Sequence, residues 1–159
     1  MIHTSHVQSI SWVQEQYRAA RLELRPPFQR KFVWTDKQRS FLIESILINV
    51  PIPEIYVQVT QTSEGTEEFG VVDGQQRLRT ILQFIGIESG EDQEQADTNL
   101  FALDALPSTS IYKGKVFADL DADERRRFFG YQISMRYLHT DNSKDVEDVF
   151  KRLNSLLSH

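Results

Sequence analysis

Apolar residues recur along this chain at two periods, and the change from one to the other marks out its elements. Over residues 5–20, Val7, Ile10, Val13 and Tyr17 fall at helical spacing behind Thr4 or Ser5 as N-cap, which predicts a first helix. Leu22 and Leu24 then alternate with Arg21, Glu23 and Arg25 as a short strand, which Pro26-Pro27 stops from continuing in a ladder. Thr35-Asp36-Lys37-Gln38 has the form of a capping box and opens a second helix. Its buried stripe reads as Phe41, Leu42, Ile46 and Val50 or its neighbours, and Pro51-Ile52-Pro53 ends it. Period two takes over at Ile55, Val57 and Val59, and a second apolar strand at residues 69–72 is expected to pair with it antiparallel. A helix bearing Leu78, Ile81, Leu82 and Ile85 follows at once, and residues 88–99, acidic and without periodicity, read as a flexible insertion. Residues 119–123 cap a short helix that runs through Phe129, and Ile133, Met135 and Tyr137 alternate as another strand. A last helix from about Ser143 turns Val146, Val149, Phe150 and Leu153 inward.

Short strands alternating with helices through 159 residues, of which 40% are hydrophobic, predict one small α+β domain, a mixed sheet with flanking helices. Cysteine is absent, which excludes disulfides, thiolate zinc sites and thiol nucleophiles. His3, His6, His139 and His159 lack the spacing of a helical metal pair with a nearby acid. No basic leader precedes an apolar run and no eighteen consecutive apolar residues occur, so the expectation is a cytoplasmic protein with no membrane partner.

The net charge of -5 opposes a sequence-blind DNA-coating role, since such affinity comes from neutralising phosphates. The charge is uneven: residues 61–100 carry two basic and nine acidic side chains, residues 1–60 seven and five. Arg25, Lys31, Lys37 and Arg39, with Arg30, therefore stay as candidate DNA contacts, beside the alternative of scattered solvated charge. Arg125-Arg126-Arg127 reads as a solvated helix face, and Phe32 and Trp34 as packing aromatics.

The densest candidate chemistry is Val71-Val72-Asp73-Gly74-Gln75-Gln76-Arg77, where an apolar strand meets a helix through a tight polar turn. The first turn of a helix presents unpaired N–H groups and the positive end of its dipole, a natural anion site. Gly74 permits close approach or positive φ, Arg77 offers a planar fork of donors, and Asp73 is placed to orient that fork or hold a metal. Asp-Gly is also a common plain turn, so the pattern alone leaves both readings open.

Three blocks together resemble one known family, the N-terminal domain of GmrSD-type modification-dependent restriction endonucleases, with a ParB/sulfiredoxin-like fold. The first runs Phe28-Gln29-Arg30-Lys31-Phe32-Val33-Trp34, then Gln38, Ser45-Ile46-Leu47 and Pro51-Ile52-Pro53. The second is Asp73 to Arg77 continuing into Leu78, Thr80 and Phe84, and the third is Phe150-Lys151-Arg152-Leu153-Asn154. The resemblance implies nucleoside triphosphate binding and hydrolysis in control of DNA restriction. By position it makes Asp73, Gly74, Gln75, Gln76 and Arg77 the phosphate-side residues, with Arg30 facing the same pocket and Arg152 and Asn154 closing it. On that reading Arg77 pairs with phosphate oxygens, the Gln75 and Gln76 amides cap them, one glutamine side chain positions the attacking water, and Asp73 holds Mg²⁺.

The family usually continues into further helices and an HNH nuclease domain, whereas this chain stops after Arg152-Leu153-Asn154. The expectation is a single domain over residues 1–159, shortened at its C-terminus, whose nuclease is a separate domain or subunit. Two alternatives stand beside it: a ParB-like DNA-binding or nicking domain, and a catalytically silent partner-binding scaffold.

Overall fold

The computed structural model describes residues 1–24, 34–87 and 101–157. Five of its segments are strands: β1 (Ile2–Ser9), β2 (Leu22–Glu23), β3 (Ile55–Gln61), β4 (Glu67–Asp73) and β5 (Gln132–His139). They form one sheet in the order β1-β5-β3-β4-β2. β1 runs antiparallel to β5 and β3 antiparallel to β4, while the β5–β3 and β4–β2 pairs are parallel. Among the described residues five α-helices flank it: α1 (Ile10–Arg18), α2 (Asp36–Leu47), α3 (Gln75–Phe84), α4 (Ala122–Phe129) and α5 (Ser143–Leu157). The fold is thus the α+β arrangement expected, a small mixed sheet with flanking helices. Among the described residues no helix is long and apolar enough to cross a membrane.

Alternation along the strands sorts side chains between the two faces. Ile55, Val57, Val71, Ile133 and Met135 are fully buried in the main core, which Ile10 and Val13 of α1, Ile43 of α2 and Leu78 of α3 also enter. Phe84 packs edge-on against Phe101 and Phe117 at one side of that core. Val72 and Leu138 belong to a second, smaller core, closed by Val146 of α5 with Val149 and Phe150 partly buried beside it. Tyr56 packs there as well.

The expected first helix over residues 5–20 is corrected by the structure. Its first half is strand β1, and the helix begins only at Ile10, with Ser9 as its cap accepting from the Trp12 amide at 3.0 Å. The spacing of Val7 with Ile10 misled because Val7 is exposed while Ile10 and Val13 are buried. Eight consecutive pairings with β5, from Ile2↔His139 to Ser9↔Gln132, satisfy a backbone that local pattern alone would have coiled. Thr4 is no cap: its hydroxyl lies 2.6 Å from His6 Nε2 and 2.7 Å from His139 Nε2, and the His6 ring stacks on Tyr137.

In α2 the capping box forms as expected, with Thr35 and Gln38 exchanging side chain and backbone bonds. The inward stripe is Leu42, Ile43 and Ile46, whereas Phe41 is 67% exposed. Val50 is also exposed, because the helix has ended at Leu47 and Asn49 turns the chain with φ of 60°. The connection over residues 28–33 and the acidic insertion over residues 88–99 lie outside the described residues.

Candidate functional site

The site is built where β4 hands over to α3. Tyr56 of β3 pairs with Asp73, but the next β3 residue, Val57, pairs with Val71, so Val72 is the extra residue of a β-bulge. Val71 points into the main core and its neighbour Val72 into the second one, as alternation dictates, and both are fully buried. The Gln75 side chain folds back over the bulge: its Nε2 donates to the Val71 carbonyl at 2.8 Å and the Val72 carbonyl at 3.1 Å. Gln75 thereby satisfies acceptors at the irregular end of the ladder.

Gly74 follows as the N-cap of α3 with φ of 112°. A Cβ at this position would stand 2.9 Å and 3.1 Å from two Ile55 side-chain carbons. Glycine is required here both for the backbone angle and for the space. It also leaves α3 without a side-chain cap, whereas Ser9, Thr35 and Asp121 cap α1, α2 and α4. The dipole of α3 therefore ends at the Asp73-Gly74 turn with no cap side chain over it.

Arg77, on the first turn of α3, is directed beneath this turn. Its Nη1 donates to the carbonyls of Pro53 and Glu54, and its Nη2 lies 3.7 Å from Asp73 Oδ2. The Arg77 side chain is 12% exposed and that of Asp73 26%. Burial pushes the Arg77 pKa below its usual value, and the Asp73 carboxylate opposes that shift. Arg77 is thus a charged clamp between α3 and the turn that leads into β3, with one edge toward Asp73.

Three neighbours of this cluster carry no signal of their own in the sequence. Tyr56 is paired across the sheet with Asp73 on one side and with Arg136 on the other. Glu54, whose carbonyl accepts from Arg77, places its carboxylate 3.6 Å from the Arg136 guanidinium. Burial raises the Tyr56 pKa, and the Glu54 charge and a hydrogen bond to it add to the effect, while Arg136 opposes it. Tyr56 and Arg136 occupy the alternate positions of their strands, away from the main core, which single-strand pattern marks only as polar; strand register is what brings them together.

The remaining expected residues are more dispersed. Arg152 and Asn154 are exposed on α5, and Lys37 is exposed on α2. Arg39 is occupied: it bonds Asp36 at 3.2 Å and Gln83 at 2.9 Å, and its guanidinium stacks 4.0 Å above the Phe101 ring. Gln76 is half-buried on the first turn of α3. Arg25, Arg30 and Lys31 lie outside the described residues. Among the described residues no group of three or more His, Cys, Asp or Glu side chains is gathered to hold a metal. At the turn itself the Asp73 carboxylate, 26% exposed, faces the Arg77 guanidinium at 3.7 Å.

Residues 13–156 match the family model described as GmrSD restriction endonuclease, N-terminal domain. No curated protein and no solved structure matches the chain.

Proposed function

We propose that this chain, which belongs to the family of GmrSD restriction endonuclease N-terminal domains, binds and hydrolyses a nucleoside triphosphate to regulate restriction of foreign or modified DNA. The observation that carries the reading is the Asp73-Gly74 junction: a helix start without a side-chain cap, a glycine favoured by both its backbone angle and the nearness of Ile55, and a buried arginine alongside. Phosphate oxygens take the place of the missing cap on α3. Arg77 supplies positive charge from the inner side while it holds the 53–54 turn in place. The Gln75 amide nitrogen is engaged at the bulge, and either glutamine, Gln75 or Gln76, would position an attacking water. Asp73 would hold Mg²⁺, which would supply positive charge to neutralise the phosphate chain.

Calorimetric titration with ATP, GTP and CTP in Mg²⁺, followed by a phosphate-release assay, tests this reading. The expected outcome is binding of at least one triphosphate by the parent protein, with the Mg²⁺ dependence of affinity abolished by Asp73→Asn. A folded parent protein that binds none of the three rules the reading out.

A further inference from the structure

Arg136 stands in the same transverse row of the sheet as Asp73, two strands away, because Tyr56 is the register partner of both. Its contacts are loose. Nε lies 3.6 Å from Glu54 Oε1, beyond hydrogen-bond length, and Nη1 lies 3.3 Å from His3 Nδ1. The Arg136 and Glu54 side chains are both 28% exposed. Arg77, by contrast, is anchored to two main-chain carbonyls and nearly enclosed. Glu54 joins the two cations, its carbonyl on Arg77 and its carboxylate on Arg136. Tyr56 is the register neighbour of both Asp73 and Arg136 and follows Glu54 by two residues along the chain, so strand register brings the four residues to one row.

We infer that Arg136 is a second phosphate contact of the nucleotide site, that Tyr56 donates to the same phosphate chain, and that Glu54 is a stand-in anion which the incoming phosphate displaces from Arg136. The inference rests on the nucleotide reading above and adds to it a new set of residues and a sign. A partly exposed carboxylate–guanidinium pair of this length is a weak interaction, whereas a phosphate offers the planar fork of an arginine two parallel charge-assisted bonds. Exchange of Glu54 for phosphate also replaces the Tyr56–Glu54 hydrogen bond by one from Tyr56 to a phosphate oxygen. The phenol of a tyrosine, with an ordinary pKa of about 10, is protonated at neutral pH, as a donor to phosphate oxygen must be.

The two members of one ion pair should then act in opposite directions. Titrations of the parent protein, Arg136→Gln, Glu54→Gln and the control Arg126→Gln would be compared for a triphosphate and its nucleoside, with and without Mg²⁺. Arg126 is an exposed cation paired with Asp123 on α4, so its loss changes net charge without touching the row. Arg136→Gln is expected to weaken the triphosphate by roughly tenfold or more and leave the nucleoside unchanged. Glu54→Gln is expected to tighten it by about two- to fivefold, in EDTA as well as in Mg²⁺. Should Arg136→Gln fail to fold, Arg136→Lys keeps the charge without the fork and is expected to give an intermediate loss. Weakening by both Glu54→Gln and Arg136→Gln, or an Arg136 effect no larger than that of Arg126→Gln, overturns the inference while leaving the nucleotide site standing. No nucleotide binding by the parent protein overturns both.

Discussion

Gly74 is the residue on which the junction turns. An alanine there must adopt φ of 112° and must also push Ile55, which is fully buried, by several tenths of an ångström. Backbone strain and overpacking each cost about 1–3 kcal/mol, so Gly74→Ala is expected to destabilise by roughly 2–4 kcal/mol. Urea unfolding would read this as a lower midpoint with an unchanged slope. Arg77 carries a different lesson. Its position in the turn pointed to phosphate chemistry, yet its strongest contacts are carbonyls of the segment before β3. Truncating it removes charge from the site and also releases that segment, so its effect on a ligand must be judged beside a measurement of fold.

At the scale of elements, α5 is the helix that closes the second core, through Val146 at 1% exposure against Val72 and Leu138. Val146→Ala removes two buried methyl groups, at about 0.8 kcal/mol each, with a cavity term added. The expected result is a loss of roughly 2 kcal/mol and faster amide exchange in α5 than in α3, detectable by hydrogen exchange. Much of this level was legible in the sequence. Alternation of Ile55, Val57 and Val59, the Thr35–Gln38 box and the cap expected within residues 119–123, which is Asp121, all became the elements they announced. The strand at the start of the chain was not, because its stability comes from pairing with β5 and not from its own pattern. The site followed the same division. Asp73, Gly74 and Arg77 stand together because they are neighbours in sequence, while Glu54, Tyr56 and Arg136 required the bulge and the strand register, which are long-range facts.

Across the molecule, four tyrosines share one titration behaviour. Tyr56, Tyr112, Tyr131 and Tyr137 all have raised pKa values, with burial the largest cause in each. Their neutral forms favour the folded state, so this contribution to stability is complete below the unfolded value of about 10 and is lost as pH rises past it toward the folded values. Thermal melts between pH 8 and 12, read beside phenolate absorbance, should show constant stability at the lower end and a fall beginning near pH 10. The sheet order has a consequence in time as well as in space. β5 sits between β1 and β3, pairing Ile2 with His139, so an early segment stays without its hydrogen-bonding neighbour until almost the whole domain has left the ribosome. Nascent chains that stop before residue 132 should remain sensitive to protease in β1 and β3 alike, and resistance should arrive at both together once β5 is free to insert.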